Sequence, residues 1–292
     1  MELQRNIYLK NYTTFKIGGP ARYFCIARNE KDLIGAVSFA KKEKLPFFIL
    51  GGGSNLLVSD NGYSGLVLKI QNSKVKTQNY KSKLKIICGA GLSLASLIAR
   101  TSELGAAGME WAAGIPGATV GGAIRGNAGA FETEMKDLVK SVEAIDFKTG
   151  KIKIFDNKAC GFAYRGSIFK RNSDLIILSA EMEFKKRDKN EIKNKIKEIL
   201  NYRMAKHPKF PSAGSIFKNL ESMRARDLIE KAGLNGKRIG RAQISEQHAN
   251  FIINTGGAKA KDVLELIDLA KKEVKNKLGV KIEEEIKLLG DF

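Results

Sequence analysis

Gly114-Ile115-Pro116-Gly117-Ala118-Thr119-Val120-Gly121-Gly122-Ala123-Ile124-Arg125-Gly126-Asn127-Ala128-Gly129-Ala130-Phe131 is one-third glycine, and Arg125 is its only charged residue. Glycine loses more backbone freedom on ordering than any other residue. Such density is kept where backbone must turn with positive φ or approach something closely. Bare amides in such turns make nests that hold anions, and a pyrophosphate suits them. A tight structural loop under close helix packing would use glycine in the same way. Three further loops of this kind share the chain: Ile17-Gly18-Gly19-Pro20-Ala21, Gly51-Gly52-Gly53-Ser54-Asn55 and Gly89-Ala90-Gly91.

None of these loops is a dinucleotide fingerprint. The first follows no strand, the second opens no helix at the required spacing, and a Walker A loop is absent. Several dispersed glycine loops suggest one large dinucleotide cradled by backbone, and FAD fits that description better than a mononucleotide. Working outward, the strand pattern Arg22 to Arg28, the helix pattern Glu30 to Lys44 and the strand Phe47 to Leu50 form a β-α-β unit. Its glycine loop lies at a strand's carboxyl end, where α/β folds place ligands. Residues 71–83 read as a polar linker. Strands are expected at Leu84–Cys88, Val139–Phe147, Lys151–Phe155 and Leu175–Phe184, with a helix from Leu94 to Leu104 capped by Ser93 and ended by Gly105. A charged helix over Asn190–Met204 leads to a composition change near residue 200. Beyond it, a helix near Arg226–Ala232, a strand at Phe251–Asn254, an amphipathic helix at Ala260–Leu278 and a closing strand at Ile286–Leu289 read as a separate α+β block.

Bulk properties narrow the function. The chain has 292 residues, 43% hydrophobic, which is enough for two or three domains and a sizeable core. No apolar run is long enough to span a bilayer and no signal-peptide core opens the chain, so a soluble cytoplasmic protein is expected. Cys25, Cys88 and Cys160 are dispersed, which argues against disulfides and structural zinc and for small buried hydrophobes. With only His207 and His248, a histidine-rich metal centre is excluded. The formal charge of +20 attracts polyanions. No basic stripe interleaved with aromatics and no nucleic-acid motif accompanies it, so phosphorylated small molecules are the expected partners.

Six ordered motifs carry a resemblance across nearly the whole chain: Asn11 to Ala21, Leu50 to Leu57, Gly114 to Phe131, Tyr164 to Ser167, Pro211 to Asn219 and Ser245 to Phe251. Together they resemble the UDP-N-acetylenolpyruvoylglucosamine reductase family. The resemblance implies an α+β chain with a two-subdomain FAD-binding module of the vanillyl-alcohol oxidase (PCMH) type. That module would span 1–200, with subdomains of about 1–75 and 76–200. A C-terminal substrate-binding domain would follow at 201–292, its last strand returning to the FAD module. It implies a cytoplasmic monomer with non-covalent FAD, NADPH as co-substrate and a UDP-sugar substrate, without nucleic acid, membrane or metal. The reaction implied is reduction of an enolpyruvyl ether in peptidoglycan precursor synthesis, the UDP-N-acetylmuramate dehydrogenase activity.

The same resemblance assigns residues. Arg165 would face the developing oxyanion, Ser215 would give the proton, and Glu285, with Glu284 as the alternative register, would complete the catalytic set. Ile17, Gly18, Gly19, Pro20, Leu50, Gly51, Gly52, Gly53, Ser54, Asn55, Gly114, Pro116, Gly117, Thr119, Gly121, Gly122, Ala123, Asn127, Ala128 and Gly129 would hold the cofactor. Tyr164, Lys218 and Asn219 would hold the substrate, with Lys206 a weaker candidate, and His248 is read as structural. Glu132 stands where the family commonly has glycine, Leu220 where it has proline, and His207 where glutamine is frequent. The tyrosine-bearing insertion of the longer class is missing, which points to the short class. Related flavin-dependent alcohol oxidases often tether the cofactor through histidine, and no histidine lies in the N-terminal module.

Overall fold

The structure is a computed structural model and describes residues 1–79 and 83–292. In chain order the elements are β1 (Leu3–Tyr8), β2 (Pro20–Ala27), α1 (Glu30–Lys42), β3 (Phe47–Leu50), β4 (Leu56–Val58), β5 (Tyr63–Ile70), β6 (Val75–Asn79), β7 (Lys83–Gly89), α2 (Leu94–Leu104), β8 (Ala106–Ala107), α3 (Val120–Gly126), β9 (Gly129–Ala130), β10 (Thr133–Glu134), β11 (Val139–Asp146), β12 (Ile152–Asp156), α4 (Ile168–Arg171), β13 (Leu175–Lys186), α5 (Lys189–Lys206), β14 (Ser212–Ser215), α6 (Ala225–Lys231), β15 (Arg238–Ile239), β16 (Ala242–Ile244), β17 (Phe251–Asn254), α7 (Ala260–Leu278) and β18 (Lys287–Leu289). This is an α+β chain. Its contacts divide it into two units, one of residues 1–3, 25–52 and 67–203, the other of residues 4–24, 53–66 and 204–292. One four-stranded sheet has the order β1-β2-β5-β3.

The first unit is built on a sheet with the path β12-β11-β13-β7-β6, where β8 also pairs with β13. β13 is its central strand: Ala180, Met182 and Phe184 are buried on it, opposite Cys88, Ile86 and Leu84 of β7. β6 occupies part of the stretch 71–83 read as a linker, pairing antiparallel with β7 from Val75 opposite Cys88 to Asn79 opposite Leu84. Apart from the apolar Val75 and the half-buried Thr77, its side chains are polar and exposed, as suits an edge strand. Residues 80–82 of that stretch lie outside the described residues. α2 begins where the Ser93 side chain accepts from the Ser96 amide and ends at Gly105, whose φ is +69°. Cys25, Cys88 and Cys160 are all buried and free. Burial pushes the thiols of Cys88 and Cys160 up to about 12, so neither is a nucleophile at neutral pH.

The second unit packs α6 and α7 with a sheet of order β14-β17-β16-β15. α7 turns Val263, Leu266, Ile267, Ala270 and Val274 inward, spaced at one helical stripe. Each fully buried Val, Leu or Ile side chain there contributes about 1.5–3 kcal/mol. Phe15, Ile17 and Leu57 enter the same core. β18 pairs parallel with β4, setting Lys287 to Leu289 beside Leu56 to Val58. Asp60 caps α7, its carboxylate accepting from the amides of Ala260 (3.0 Å) and Lys261 (3.3 Å).

Candidate active site

In the first unit the glycine loops press on each other. A Cβ on Gly52 would fall on the carbonyl oxygen of Gly117, and one on Gly51 would meet the Thr119 hydroxyl at 2.6 Å. A Cβ on Gly121 would meet Ala90 at 2.8 Å. The amide of Gly121 donates to Ala90 O (2.8 Å), and that of Val120 to Leu92 O (2.9 Å). The start of α3 is therefore satisfied by protein, helped by the Thr119 side chain, which accepts from Gly122. Among the described residues no acceptor meets the amides of Gly52 or Gly117. Gly114, Pro116, Gly117 and Gly122 are exposed. Lys69, which sequence reasoning missed, donates to Gly51 O at 3.0 Å, and burial lowers its pKa.

Asn127 is fully buried and ends α3 at φ +43°. Its Nδ2 donates to Glu134 Oε2 (2.9 Å) and Ala163 O (3.0 Å), and its Oδ1 accepts from the Lys136 amide (3.0 Å). That side chain ties α3 to the Gly129–Glu134 hairpin and to the Tyr164–Arg165 turn. Ala123 is buried on α3, and its carbonyl accepts from the Ala128 amide at 2.8 Å. Arg165 sits in a tight turn closed by reciprocal 3.0 Å bonds between Ala163 and Gly166. Its φ is +52°, a conformation that costs a non-glycine residue about 1–2 kcal/mol. Its guanidinium donates to Gly129 O (3.2 Å) and lies 5.0 Å from the centroid of the exposed Tyr164 ring. Both residues line a cavity of about 390 Å³ with Glu132, Glu134 and Lys136.

In the second unit, Ser215 ends β14 opposite Phe251. The chain beyond it is held along one edge by residues 283–285: Phe217 bridges to Glu284, the Glu285 amide donates to Ile216 O (2.7 Å), and the Lys218 amide donates to Glu283 O (2.9 Å). Ser215, Lys218 and Glu285 are thus brought together in one backbone ladder. Asn55 joins it, its Nδ2 donating to Glu285 O (3.2 Å). Of the three consecutive glutamates, Glu284 is paired with Lys271 (2.8 Å) and Glu283 with Lys218 (3.0 Å). Asn219 Oδ1 accepts from the Ala225 amide at 3.0 Å, at the start of α6.

Gly18 and Gly19 are closely packed: a Cβ on Gly18 would meet Val58 at 2.7 Å, and one on Gly19 would strike the Asp60–Gly62 backbone. With Ile17 they line a cavity of about 630 Å³ that also takes in Lys10, Lys16 and the Thr255–Ala258 loop. Pro20 begins β2. Gly53 has φ +65° and lies against Tyr12 and Thr13. Among the described residues the amides of Gly53, Ser54 and Asn55 meet no acceptor. Leu50, ending β3 in the first unit, is buried.

His248 packs on His207 and Phe251, with ring centroids 5.5 and 4.7 Å away. Burial, with His207 and Arg226 adding to it, pushes its pKa down from 6.5 to about 4. A histidine held neutral stabilises the fold above its unfolded pKa, and that contribution is lost as pH falls from about 6.5 toward 4. Urea titrations of His248→Gln are expected to show a shallower loss of stability across that window than the parent. An unchanged slope would sink the assignment. Lys206 is exposed at the end of α5. No helix among the described residues is long and apolar enough to cross a membrane, and no group of acidic, histidine and cysteine side chains there could hold a metal.

Glycine loops in close contact, with amides left bare, fit the pyrophosphate of a dinucleotide. Residues 21–156 match the family described as FAD binding domain, and residues 206–289 match that described as UDP-N-acetylenolpyruvoylglucosamine reductase, C-terminal domain. The chain is a flavin-binding oxidoreductase. It is 43% identical to a UDP-N-acetylenolpyruvoylglucosamine reductase of Caldanaerobacter subterraneus subsp. tengcongensis, over 99% of this chain and 94% of that one. It is 39% identical to one from Clostridium novyi, over 99% and 93%. The crystal structure of the Thermus caldophilus enzyme superposes with a TM-score of 0.83 at 34% identity, covering 99% of this chain and all of that one. The chain belongs to the UDP-N-acetylenolpyruvoylglucosamine reductase family.

Proposed function

We propose that this chain reduces the enolpyruvyl ether of UDP-N-acetylglucosamine enolpyruvate to UDP-N-acetylmuramate with NADPH, in the cytoplasm, as a step of peptidoglycan precursor synthesis. The observation that carries this reading is the ladder in which the Glu285 amide bonds to Ile216 O at 2.7 Å, setting the glutamate's backbone beside that of the serine. The chemistry FAD supplies when bound is hydride transfer, from NADPH to the terminal carbon of the enolpyruvyl group. Residues 1–200 form the FAD module in this reading, in subdomains of about 1–75 and 76–200, and 201–292 form the substrate domain. Gly52, Gly53, Ser54, Asn55 and Gly117 offer their amides to the pyrophosphate. The protein acts as a monomer.

Hydride addition pushes negative charge onto the neighbouring carbon and, by delocalisation, onto the substrate carboxylate. Arg165 meets that charge with its planar fork, an interaction that strengthens as the charge develops. Ser215 then delivers a proton to the carbanionic carbon, and Glu285 stands beside it in the catalytic set. Tyr164, Lys218 and Asn219 bind the UDP-sugar. Arginine in a left-handed turn is disfavoured, so the position is held for its side chain. Arg165→Gly is therefore expected to keep stability within about 1 kcal/mol while slowing turnover by roughly 100-fold or more. A loss of stability with activity retained would reverse this assignment.

The reading is tested by an anaerobic visible spectrum of the FAD-loaded chain. NADPH should bleach the flavin band, and UDP-N-acetylglucosamine enolpyruvate should restore it. Bleaching without return would reject this substrate, and failure to hold FAD would remove the flavin argument itself.

A further inference from the structure

We infer that Asn250 is a positioning residue that aims the Ser215 hydroxyl, acting through the backbone of Phe217. The inference rests on the role given to Ser215 above. Asn250 is 3% exposed, and its side-chain amide bonds to the backbone of one residue on both sides of its Cα. Its Oδ1 accepts from the Phe217 amide at 2.9 Å, and its Nδ2 donates to the Phe217 carbonyl at 2.9 Å. Its own carbonyl accepts from the Ile216 amide at 2.8 Å. Three bonds from one residue therefore fix the chain immediately after Ser215.

The register of β14 explains why such a grip matters. Ser212 pairs with Ile253 and Ser215 with Phe251, so three steps along β14 match two along β17. The extra residue is a bulge at Ala213–Gly214, where Gly214 has φ +75°. Bulges beside active sites re-aim a side chain, and they also break the regular ladder that would hold it. Beyond the bulge, the side chain of Asn250 substitutes for a strand's backbone partner. The opposite edge is already taken, since Ile216 O and the Lys218 amide bond to Glu285 and Glu283. The aim of Ser215 thus depends on a side chain on one edge and on the segment bearing Glu285 on the other.

The turn that presents Asn250 is itself closed. Ser245 Oγ accepts from the amides of Gln247 and His248, each at 3.2 Å. The Ser245 amide donates to Phe251 O and the Phe251 amide to His248 O, each at 2.9 Å. The whole Ser245–Phe251 motif is a rigid mount for one amide side chain. A group that fixes a reacting atom within a fraction of an ångström contributes to rate without touching substrate.

The test is a double-mutant cycle on the full FAD-loaded chain, followed by anaerobic stopped flow with NADPH and then with UDP-N-acetylglucosamine enolpyruvate. Asn250→Ala is expected to leave flavin reduction within about 3-fold and to slow reoxidation by roughly 10–100-fold. In a Ser215→Ala background the same substitution should cost less than about 2-fold, because the group it acts through is gone. Equal slowing of both half-reactions, or the same loss in both backgrounds, would overturn the inference and leave Asn250 a purely structural clamp. If Ser215→Ala itself reoxidises fast, the proton-donor reading has failed. If Ser215→Ala is slow and Asn250→Ala fast, the positioning inference alone has failed. Should Asn250→Ala not retain FAD, Asn250→Asp, which keeps an acceptor for the Phe217 amide, goes through the same cycle. Independently of turnover, amide exchange at 216–218 in the FAD-free variant should rise by roughly 10-fold or more while α7 stays protected. Unchanged exchange there would also overturn it.

Discussion

Ser215→Ala is expected to leave flavin reduction by NADPH nearly intact and to slow reoxidation by the enolpyruvyl substrate by roughly 10²–10⁴-fold, the range that general-acid catalysis contributes. The two half-reactions share the cofactor, but only the second needs a proton on carbon. A hydroxyl is a weak acid in water, so its site must supply the driving force. The ladder around Ser215 offers charged groups for this: Lys218 lies on the same strand extension, and Glu283 to Glu285 run alongside. Glu284 bonds to Lys271 and Glu283 to Lys218. Anaerobic stopped flow at the flavin band measures both steps in one sample. An equal loss in both would show that the substitution damages cofactor placement, and it would count against the acid role.

The regular elements were legible because their signals are local. α2 runs over Leu94–Leu104, between a serine cap and a glycine stop that can both be seen in the sequence, and α7 follows a stripe of five apolar residues. β6 escaped notice because an edge strand needs no buried side chain, and Val75-Lys76-Thr77-Gln78-Asn79 offers none to detect. The family motifs were legible by resemblance, but what each residue does within them was not. Glycine density alone could not say whether Gly18 and Gly19 make room for a ligand or for neighbouring chain, and the structure shows the Val58 side chain beside Gly18 and the Asp60–Gly62 backbone beside Gly19. Asn127 spends its side chain on Glu134, Ala163 and Lys136, and Asn250 spends its own on the backbone of a residue 33 positions away. Bonds of that kind depend on tertiary register, which carries no periodicity along the chain.

Gly52→Ala is expected to abolish FAD loading, whereas Gly126→Ala should leave loading unchanged and stabilise the chain by about 0.5–1 kcal/mol. Both glycines lie in or beside the flavin signatures, so composition treats them alike. Gly52 needs no unusual dihedral; its constraint is purely steric, because a methyl group there would occupy the place of the Gly117 carbonyl. Gly117 cannot easily retreat. Its own φ is +65°, and the next carbonyl, that of Ala118, accepts from the Leu94 amide at 2.9 Å. The two loops would have to part, separating the bare amides of Gly52 and Gly117 proposed above to hold the pyrophosphate. At Gly126, within α3, an added Cβ meets nothing within 4 Å, and alanine is the better helix former. The flavin-to-protein absorbance ratio after dialysis, read beside a thermal melt of the FAD-free chains, separates loss of the cradle from loss of the fold. Full loading of Gly52→Ala would mean that the contact between these loops is not what holds the cofactor. Equal loss in both variants would mean that glycine itself, wherever it stands in the signature, carries a requirement that packing does not explain.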